Sequence, residues 1–449
     1  GDAASAAASA ATSAGRRIDR AATPLRGRVQ VPGSKSLSTR ALVLAALSPT
    51  PVLLRGVLAA DDTRHLAAAI GAMGGRVARL LGDDWRIDGR EIGAASRRVE
   101  VDLGDGGAPV RFAMALATRR SGETRLDGSA RLRERPIEDG VELLRALGAS
   151  ISYGREQGRL PVVVHGRLAG ETATIRVART ASSQFVSALM LIAPSLPTGL
   201  RLEFTEAPTS ASYLALTIES LRSFGAKLRG SAARAGDEIE IAPGLSPAGE
   251  LRIPADASSA VVWAAAAAIV PGSRIEIAGV RRDAQPDRAA IEAIGRMGAS
   301  IEWSDQGVTV CHAPLRGVDL DASSWPDGAL AVAAAAGAAS TPTRLRSLGT
   351  LRVKESDRLA AVRDEFGALG LHARIDGDDL VIEPREAPGA PVVVHAHRDH
   401  RIAMMLALVG LRRGGVIVDD PACVSKSYPA FWSHLAMLQG RGAGAGGLV

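Results

Sequence analysis

Lysine is nearly absent from this chain of 449 residues. Of its 54 lysine and arginine residues, only Lys35, Lys227, Lys354 and Lys426 are lysine. Arginine presents a permanently charged planar fork, whereas lysine presents a compact ammonium that can release its proton. A chain that has exchanged one for the other almost everywhere keeps lysine where the fork will not serve. Three of the four stand in short polar motifs, PGSKSLSTR, LRVKESDR and SKSYP. Cysteine is also scarce. Cys311 and Cys423 alone exclude a disulfide framework and fit a reducing, cytoplasmic setting. Aromatic residues make up 3%, so no RNA-stacking surface is recognisable. The core must then be built from small aliphatic side chains. Long apolar runs are missing: the stretch 260–270 is too short to span a bilayer and has polar flanks. The net charge of +6 is spread among interleaved acids and bases. It points to a small anionic ligand, with no nucleic-acid partner and no membrane.

What remains is an ordinary globular composition, 46% hydrophobic and 23% charged, long enough for two or three domains. The small-residue segments 1–17 and 441–449 are expected to be disordered tails. The opening residues lack the charged start and apolar block of a secretory signal.

An internal repeat organises the rest. Six times a small polar loop runs into an apolar segment of helical length. Markers at Ser34, Gly106, Ser182, Ala257, Gly328 and His400 are spaced by 72, 76, 75, 71 and 72 residues. Ser or Asp in these loops suits helix N-caps. The segments RALVLAAL, VRFAMALA, QFVSALMLIA, AVVWAAAAAI, ALAVAAAAGA and IAMMLALVGL are apolar nearly all round, which predicts buried helices. Residues 162–164, 274–277, 301–303 and 392–394 read as strands. Second, amphipathic helices end in RALGA, RSFGA, GRMGA or FGALG, with glycine as the stop. The architecture is α/β, each unit holding two helices and several strands. Equivalent prolines, Pro32 and Pro254, divide it into two domains, 33–253 and 18–32 plus 254–440, with a hinge at the two crossings. Buried helices lying side by side would collect their N-termini, with free N–H groups and partial positive charge, on one face.

Several motifs can be set aside. A nucleotide P-loop requires Gly where Ser34 and Val29 stand, and LGDGGAPVR breaks the dinucleotide glycine pattern at Pro109. His395, His397 and His400 lack the partners of a metal site. Arg131, Arg133 and Arg135 alternate and would share a face if extended, presenting forks to phosphate or carboxylate. Ser182, Ser183 and Gln184 offer donors to another anion. Lys354, Glu355 and Arg358 gather opposite charges within one turn, either as a solvated helix face or as an acid or base among cations. Asp327 opens an apolar helix, as a cap or as a functional carboxylate.

The ordered set PGSKSLSTRA, ERPIEDG, SSQFVSALM, DASSA, RVKESDRL, DHRIAM and KSYPAF, between about residues 18 and 439, resembles the 5-enolpyruvylshikimate-3-phosphate synthase family. The resemblance implies a two-domain inside-out α/β barrel. Each domain has three βαβαββ units with helix N-termini facing the interdomain cleft. It also implies transfer of the enolpyruvyl group of phosphoenolpyruvate to the 5-hydroxyl of shikimate 3-phosphate, without organic cofactor or metal, by a monomer. Matched by motif, Lys35, Ser36, Arg40, Ser182, Ser183, Gln184, Ser210, Tyr213, Asp327 and Lys354 would contact shikimate 3-phosphate. Lys35, Gly107, Arg135, Gln184, Arg358, Arg401 and Lys426 would hold phosphoenolpyruvate. Asp327 would act as base, Glu355 as proton donor, Lys35 as proton-transfer partner, and His400 as support for the phosphate or Glu355.

Thr39, Ala108, Ala211 and Thr350 depart from the residues usual in that family, which leaves a related acceptor alcohol open. UDP-N-acetylglucosamine enolpyruvyl transferase shares the fold but typically places a reactive cysteine in its first half, and here no cysteine precedes Cys311. A non-catalytic anion- or RNA-binding repeat would leave Asp327 and Glu355 unexplained.

Overall fold

The computed structural model describes residues 15–94, 96–168, 173–386 and 389–440. Most of both expected tails lies outside them. Arg16 and Arg17 do not belong to a disordered tail: Arg16–Ile18 is a strand, antiparallel to Val416–Val418. Ile18 is buried there against the second core, so one apolar anchor fixes the two arginines before it.

Six buried helices form the centre: Lys35–Ala46, Gly107–Ala117, Ser183–Ile192, Ala257–Ile269, Ala329–Ala336 and His400–Arg413. They match the six apolar segments. The first three pack against one another, as do the last three. The buried apolar side chains fall into two clusters, one spanning Ala41 to Ile253 and the other joining Ile18–Val31 to residues beyond Ala255. Alanine fills much of the second cluster; all eight residues of Ala329–Ala336 are buried. Small side chains let helix axes approach closely, so dispersion contacts replace aromatic bulk.

Among the described residues, six small sheets surround the helices. In Val99–Asp102, Glu123–Asp127, Val162–His165 and Ile151–Tyr153, the first pair is parallel and the rest antiparallel. The unit beginning at Thr174–Val177 and the one beginning at Asp319–Asp321 repeat this pattern. Two units borrow their first strand. Glu250–Arg252 runs parallel to Val52–Arg55, and Arg26–Gln30 runs parallel to Arg274–Ala278. The chain therefore crosses between the clusters twice, where Gly33 bridges Ala255 and Asp256 N donates to Pro32 O at 2.8 Å.

The outer helices stop where the glycines predicted. Gly148, Gly225, Gly298 and Gly370 follow Glu138–Ala146, Ala211–Ser223, Arg288–Arg296 and Arg358–Ala368, each with positive φ. Such a turn carries no Cβ penalty only in glycine.

Candidate active site

Helix starts from both halves meet at one cavity. Lys35 and Ser36 open their helix under the Ser34 cap, whose hydroxyl accepts from Leu37 N. Gly107 and Ala108 open the second buried helix. Ser183 and Gln184 open the third under Ser182, which accepts from Gln184 N. Ser210 precedes Ala211–Ser223 in the left-handed region, φ 49°. Across the cleft stand Arg358 and Arg401, with Asp399 capping the helix of Arg401 at 2.9 Å. Each N-terminus adds partial positive charge and free donors. Side-chain caps occur at four of the six buried helices. Gly106 and Gly328 cap the other two without one. Asp327 is thus not a cap, and Gly328 N donates instead to Asp287 at 2.9 Å.

The second half holds a dense ionic network. Arg358, 1% exposed, donates to Asp327 at 2.7 Å, to Glu355 at 2.9 Å and to Asp399 at 2.7 and 3.1 Å. Asp327 also lies 3.4 Å from Lys354 Nζ and 3.7 Å from Arg401, and accepts from the Tyr213 hydroxyl at 3.3 Å. Glu355 lies 3.2 Å from Lys426 Nζ. Burial alone would raise both carboxyl pKa values; Lys354, Arg401 and Arg358 outweigh it at Asp327, and Lys426, Arg358 and Arg135 at Glu355. Both are held well below the usual carboxylate range. Burial pushes the Lys354 ammonium down against the pull of Asp327.

The first half differs: among the described residues its buried arginines form no ion pair with a carboxylate. Arg40 donates to Thr217 Oγ1 at 2.8 Å, Ser36 O at 2.9 Å and Tyr213 O at 3.2 Å, and burial lowers its pKa to about 10. Arg135 packs on the backbone of Gly107, where a Cβ would sit 2.5 Å from its Nη1. Arg111 donates to Gln184 Oε1 and, at 3.4 Å, to Pro136 O. Burial, then its neighbour Arg135, hold it well below the ordinary guanidinium value. Lys35 reaches one acid, Asp62, at 3.3 Å.

Of the residues expected from sequence, Lys35, Ser36, Arg40, Gly107, Arg135, Ser182, Ser183, Gln184, Ser210, Tyr213, Asp327, Lys354, Glu355, Arg358 and Arg401 all line the cavity. Lys426 lines an adjoining opening with Arg135 and Glu355, and donates to Asp105 O at 3.0 Å. His400 is not on the wall. It is fully buried, neither ring nitrogen is hydrogen-bonded, and burial with Lys35 and Arg401 nearby holds it well below its usual pKa. Glu355 also acts on the ring.

The extended arginine face also fails. Ala130–Glu134 is helical; Arg131 donates to Glu355 O at 2.7 Å while Arg133 grips Asp127. Lys354 and Glu355 lie in the loop before Arg358–Ala368 rather than on one helical turn. His395 and His397 pair with Asp419 and Glu365.

Asp62, Arg111 and Asp399 were missed as site residues. Arg111 had a visible signal, as a charge inside the apolar segment VRFAMALA. Asp62 and Asp399 show their role only through partners brought by the fold.

The sequence profile of the family described as EPSP synthase (3-phosphoshikimate 1-carboxyvinyltransferase) matches residues 20–435. A 3-phosphoshikimate 1-carboxyvinyltransferase of Thiobacillus denitrificans is 37% identical, with 91% of this chain and 96% of that protein covered. One from Syntrophobacter fumaroxidans is 36% identical over 92% and 97%. The EPSP synthase structure from Acinetobacter baumannii superposes with a TM-score of 0.77 at 25% identity, covering 94% and 98%. The enolpyruvyl transferase NikO from Streptomyces tendae shares the fold, with a TM-score of 0.72 at 20% identity over 95% and 98%. The chain belongs to the EPSP synthase (3-phosphoshikimate 1-carboxyvinyltransferase) family.

Proposed function

We infer that the cleft carries out the reaction of this chain as a 3-phosphoshikimate 1-carboxyvinyltransferase. The enolpyruvyl group of phosphoenolpyruvate passes to the 5-hydroxyl of shikimate 3-phosphate and phosphate leaves, a step of the shikimate pathway to chorismate and the aromatic amino acids. The observation that carries the site assignment is the asymmetry of charge. Two ionised carboxylates, Asp327 and Glu355, stand in a cation network on one wall, and arginines that form no ion pair among the described residues face them with helix N-termini.

Addition needs the 5-hydroxyl oxygen to bond to C2 of phosphoenolpyruvate as its proton leaves and C3 gains one. Elimination then removes a proton from C3 as the C2–O bond to phosphate breaks. Asp327 is the base at the hydroxyl, Lys354 lies beside it, and Glu355 handles the proton at C3. In the free protein the surrounding cations hold both carboxyl groups ionised. Anionic substrates offset those cations and raise both pKa values, bringing Glu355 toward the range where it can donate. Lys35, from the opposite wall, supplies a compact positive charge at the joint between the two substrates.

Arg40 and Ser182, Ser183 and Ser210 belong to the 3-phosphate side, and Gly107, Arg135, Arg358, Arg401 and Lys426 to phosphoenolpyruvate. One chain supplies every group, which supports action as a monomer. The cations face an enclosed cleft rather than an open strip, which supports small anions over nucleic acid. No described helix is long and apolar enough to cross a membrane; we place the reaction in the cytoplasm. The test is phosphate release from phosphoenolpyruvate with shikimate 3-phosphate as acceptor. Release that requires the acceptor and collapses in Asp327→Asn is expected; release independent of acceptor, or none, sinks the assignment.

A further inference from the structure

Arg111 is an anomaly that the roles above leave unused. It is 4% exposed, lines the cavity, and forms no ion pair with a carboxylate among the described residues. Its guanidinium lies over the Phe185 ring at 4.6 Å, and its Nε has no hydrogen-bond partner. A buried cation without a direct ion-pair partner is a standing cost to the fold; Glu355 and Asp139 act on it only from a distance and leave it well below the ordinary guanidinium value. A second guanidinium, that of Arg135, stands near enough to repel it. Packing alone would be served as well by an uncharged side chain of the same length.

The contact to Gln184 supplies a reason. Arginine has only donors, so the amide atom facing it must be the oxygen. With Oε1 held by Arg111, the Gln184 amide nitrogen is left to donate elsewhere, and Gln184 lines the same cavity. An unheld glutamine would turn its amide freely and present an acceptor to an anion half of the time. Pro136 O receives the other arm of the fork, which ties this orientation to the loop that carries Arg135.

Resting on the functional reading above, we propose that Arg111 is a positioning residue for phosphoenolpyruvate. It turns the Gln184 amide nitrogen toward the cavity, and its charge gains a close counter-ion when a phosphate dianion occupies the space beside Arg135. The side chain acts through Gln184 and through charge, without chemistry of its own.

The test uses Arg111→Met and Arg111→Lys in the full chain, read by steady-state kinetics for each substrate and by thermal unfolding with and without inorganic phosphate. In Arg111→Met, KM for phosphoenolpyruvate should rise about tenfold or more, the scale of one charged hydrogen bond. KM for shikimate 3-phosphate should stay within about threefold. Ligand-free Tm should not fall, because a buried charge without a direct ion-pair partner has been removed. The stabilisation by phosphate seen in wild type should largely vanish. Lysine keeps the charge but not the fork, so Arg111→Lys should recover part of the phosphate effect and little of the KM. A lower ligand-free Tm with equal losses for both substrates would make Arg111 a packing residue and overturn the proposal. Failure of Arg111→Met to fold, with Arg111→Lys at wild-type KM, would do the same. A wild type that turns over no phosphoenolpyruvate indicts the functional reading instead, since that result precedes any variant.

Discussion

At the residue scale, the economy of lysine makes a direct prediction. Lys35 stands 3.3 Å from Asp62 at the start of a buried helix and lines the cavity. Arginine in its place keeps the charge but adds bulk and a fixed fork where the joint between two substrates needs a compact ammonium. Lys35→Arg is expected to keep its Tm and lose about 10²-fold or more in kcat, the range assigned to a positioned proton-transfer group. Turnover within a few-fold of wild type would show that any cation serves. Asp287 makes a second case. Burial and repulsion from Asp327 push its carboxyl from 3.8 up to about 6. Its native state therefore binds the proton more tightly than the unfolded chain does. The penalty for ionising it is absent below about pH 4, grows as pH rises to about 6, and is complete above, worth about 2–3 kcal/mol. Asp327 and Glu355 act in the opposite sense and in a lower window, since their pKa values are depressed and their contribution disappears only as pH falls below the unfolded values. Asp287→Asn should thus flatten the decline of Tm between about pH 4 and 6 by several °C. Parallel Tm profiles for variant and wild type would refute the assignment.

At the element scale, Asp399 fastens two helices with one carboxylate. It caps His400–Arg413 at Arg401 N and grips Arg358, the first residue of Arg358–Ala368, while itself fully buried. Asp399→Asn keeps the cap but breaks the buried ion pair. A loss of about 3 kcal/mol is expected, seen as a lower Tm, with KM for phosphoenolpyruvate raised because Arg358 is no longer held from behind. An unchanged Tm would mean that Asp327 and Glu355 suffice to hold the arginine. The same residue shows what the sequence could and could not disclose. The six buried helices were legible because every apolar segment repeats at nearly equal intervals and each polar loop precedes one. The glycine stops were legible because a left-handed turn needs that residue. Most of the cavity wall followed, since its residues sit at those same helix starts. Asp399 was legible as a loop residue, but its grip on Arg358 spans 41 positions and exists only after two units pack. Gln184 and Arg111 are 73 apart, and neither motif names the other. The arginines at 131, 133 and 135 misled for the converse reason: their alternation matched a strand, yet Ser129 caps a short helix there by accepting from Leu132 N at 3.1 Å.

At the scale of the whole molecule, the two halves meet through polar contacts and two chain crossings. Arg131 reaches Glu355 O, Lys426 reaches Asp105 O, Ser212 donates to Ser324 O at 2.7 Å and Ser425 to Asp61 at 2.7 Å. The two apolar clusters remain separate, so closure is not locked by a continuous hydrophobic seam. Contacts of this kind each add only about 0.5–1.5 kcal/mol net and can be exchanged for water. The closed cavity has a volume of about 70 Å³, room for a handful of waters at about 10–15 Å³ each in the same measure. Two phosphorylated substrates are expected to need more room than this. The halves are expected to part at the crossings near Pro32 and Pro254; beside the first, Gly33 lies so close to Gly56 O that a Cβ would sit 1.9 Å from it. Without ligand, Arg40, Arg111 and Arg135 crowd like charge on one wall, which Glu355 across the cleft offsets only in part; a dianion between the walls completes the compensation and favours closure. Small-angle scattering should therefore give a larger radius of gyration for the free chain than for the complex with shikimate 3-phosphate. The complex should approach the roughly 22 Å expected of a compact chain of this length. High salt should shrink the difference, because screening weakens the repulsion that opens the free form. If the radius is unchanged while calorimetry confirms binding, the ligand enters by another route and the hinge is not part of the cycle.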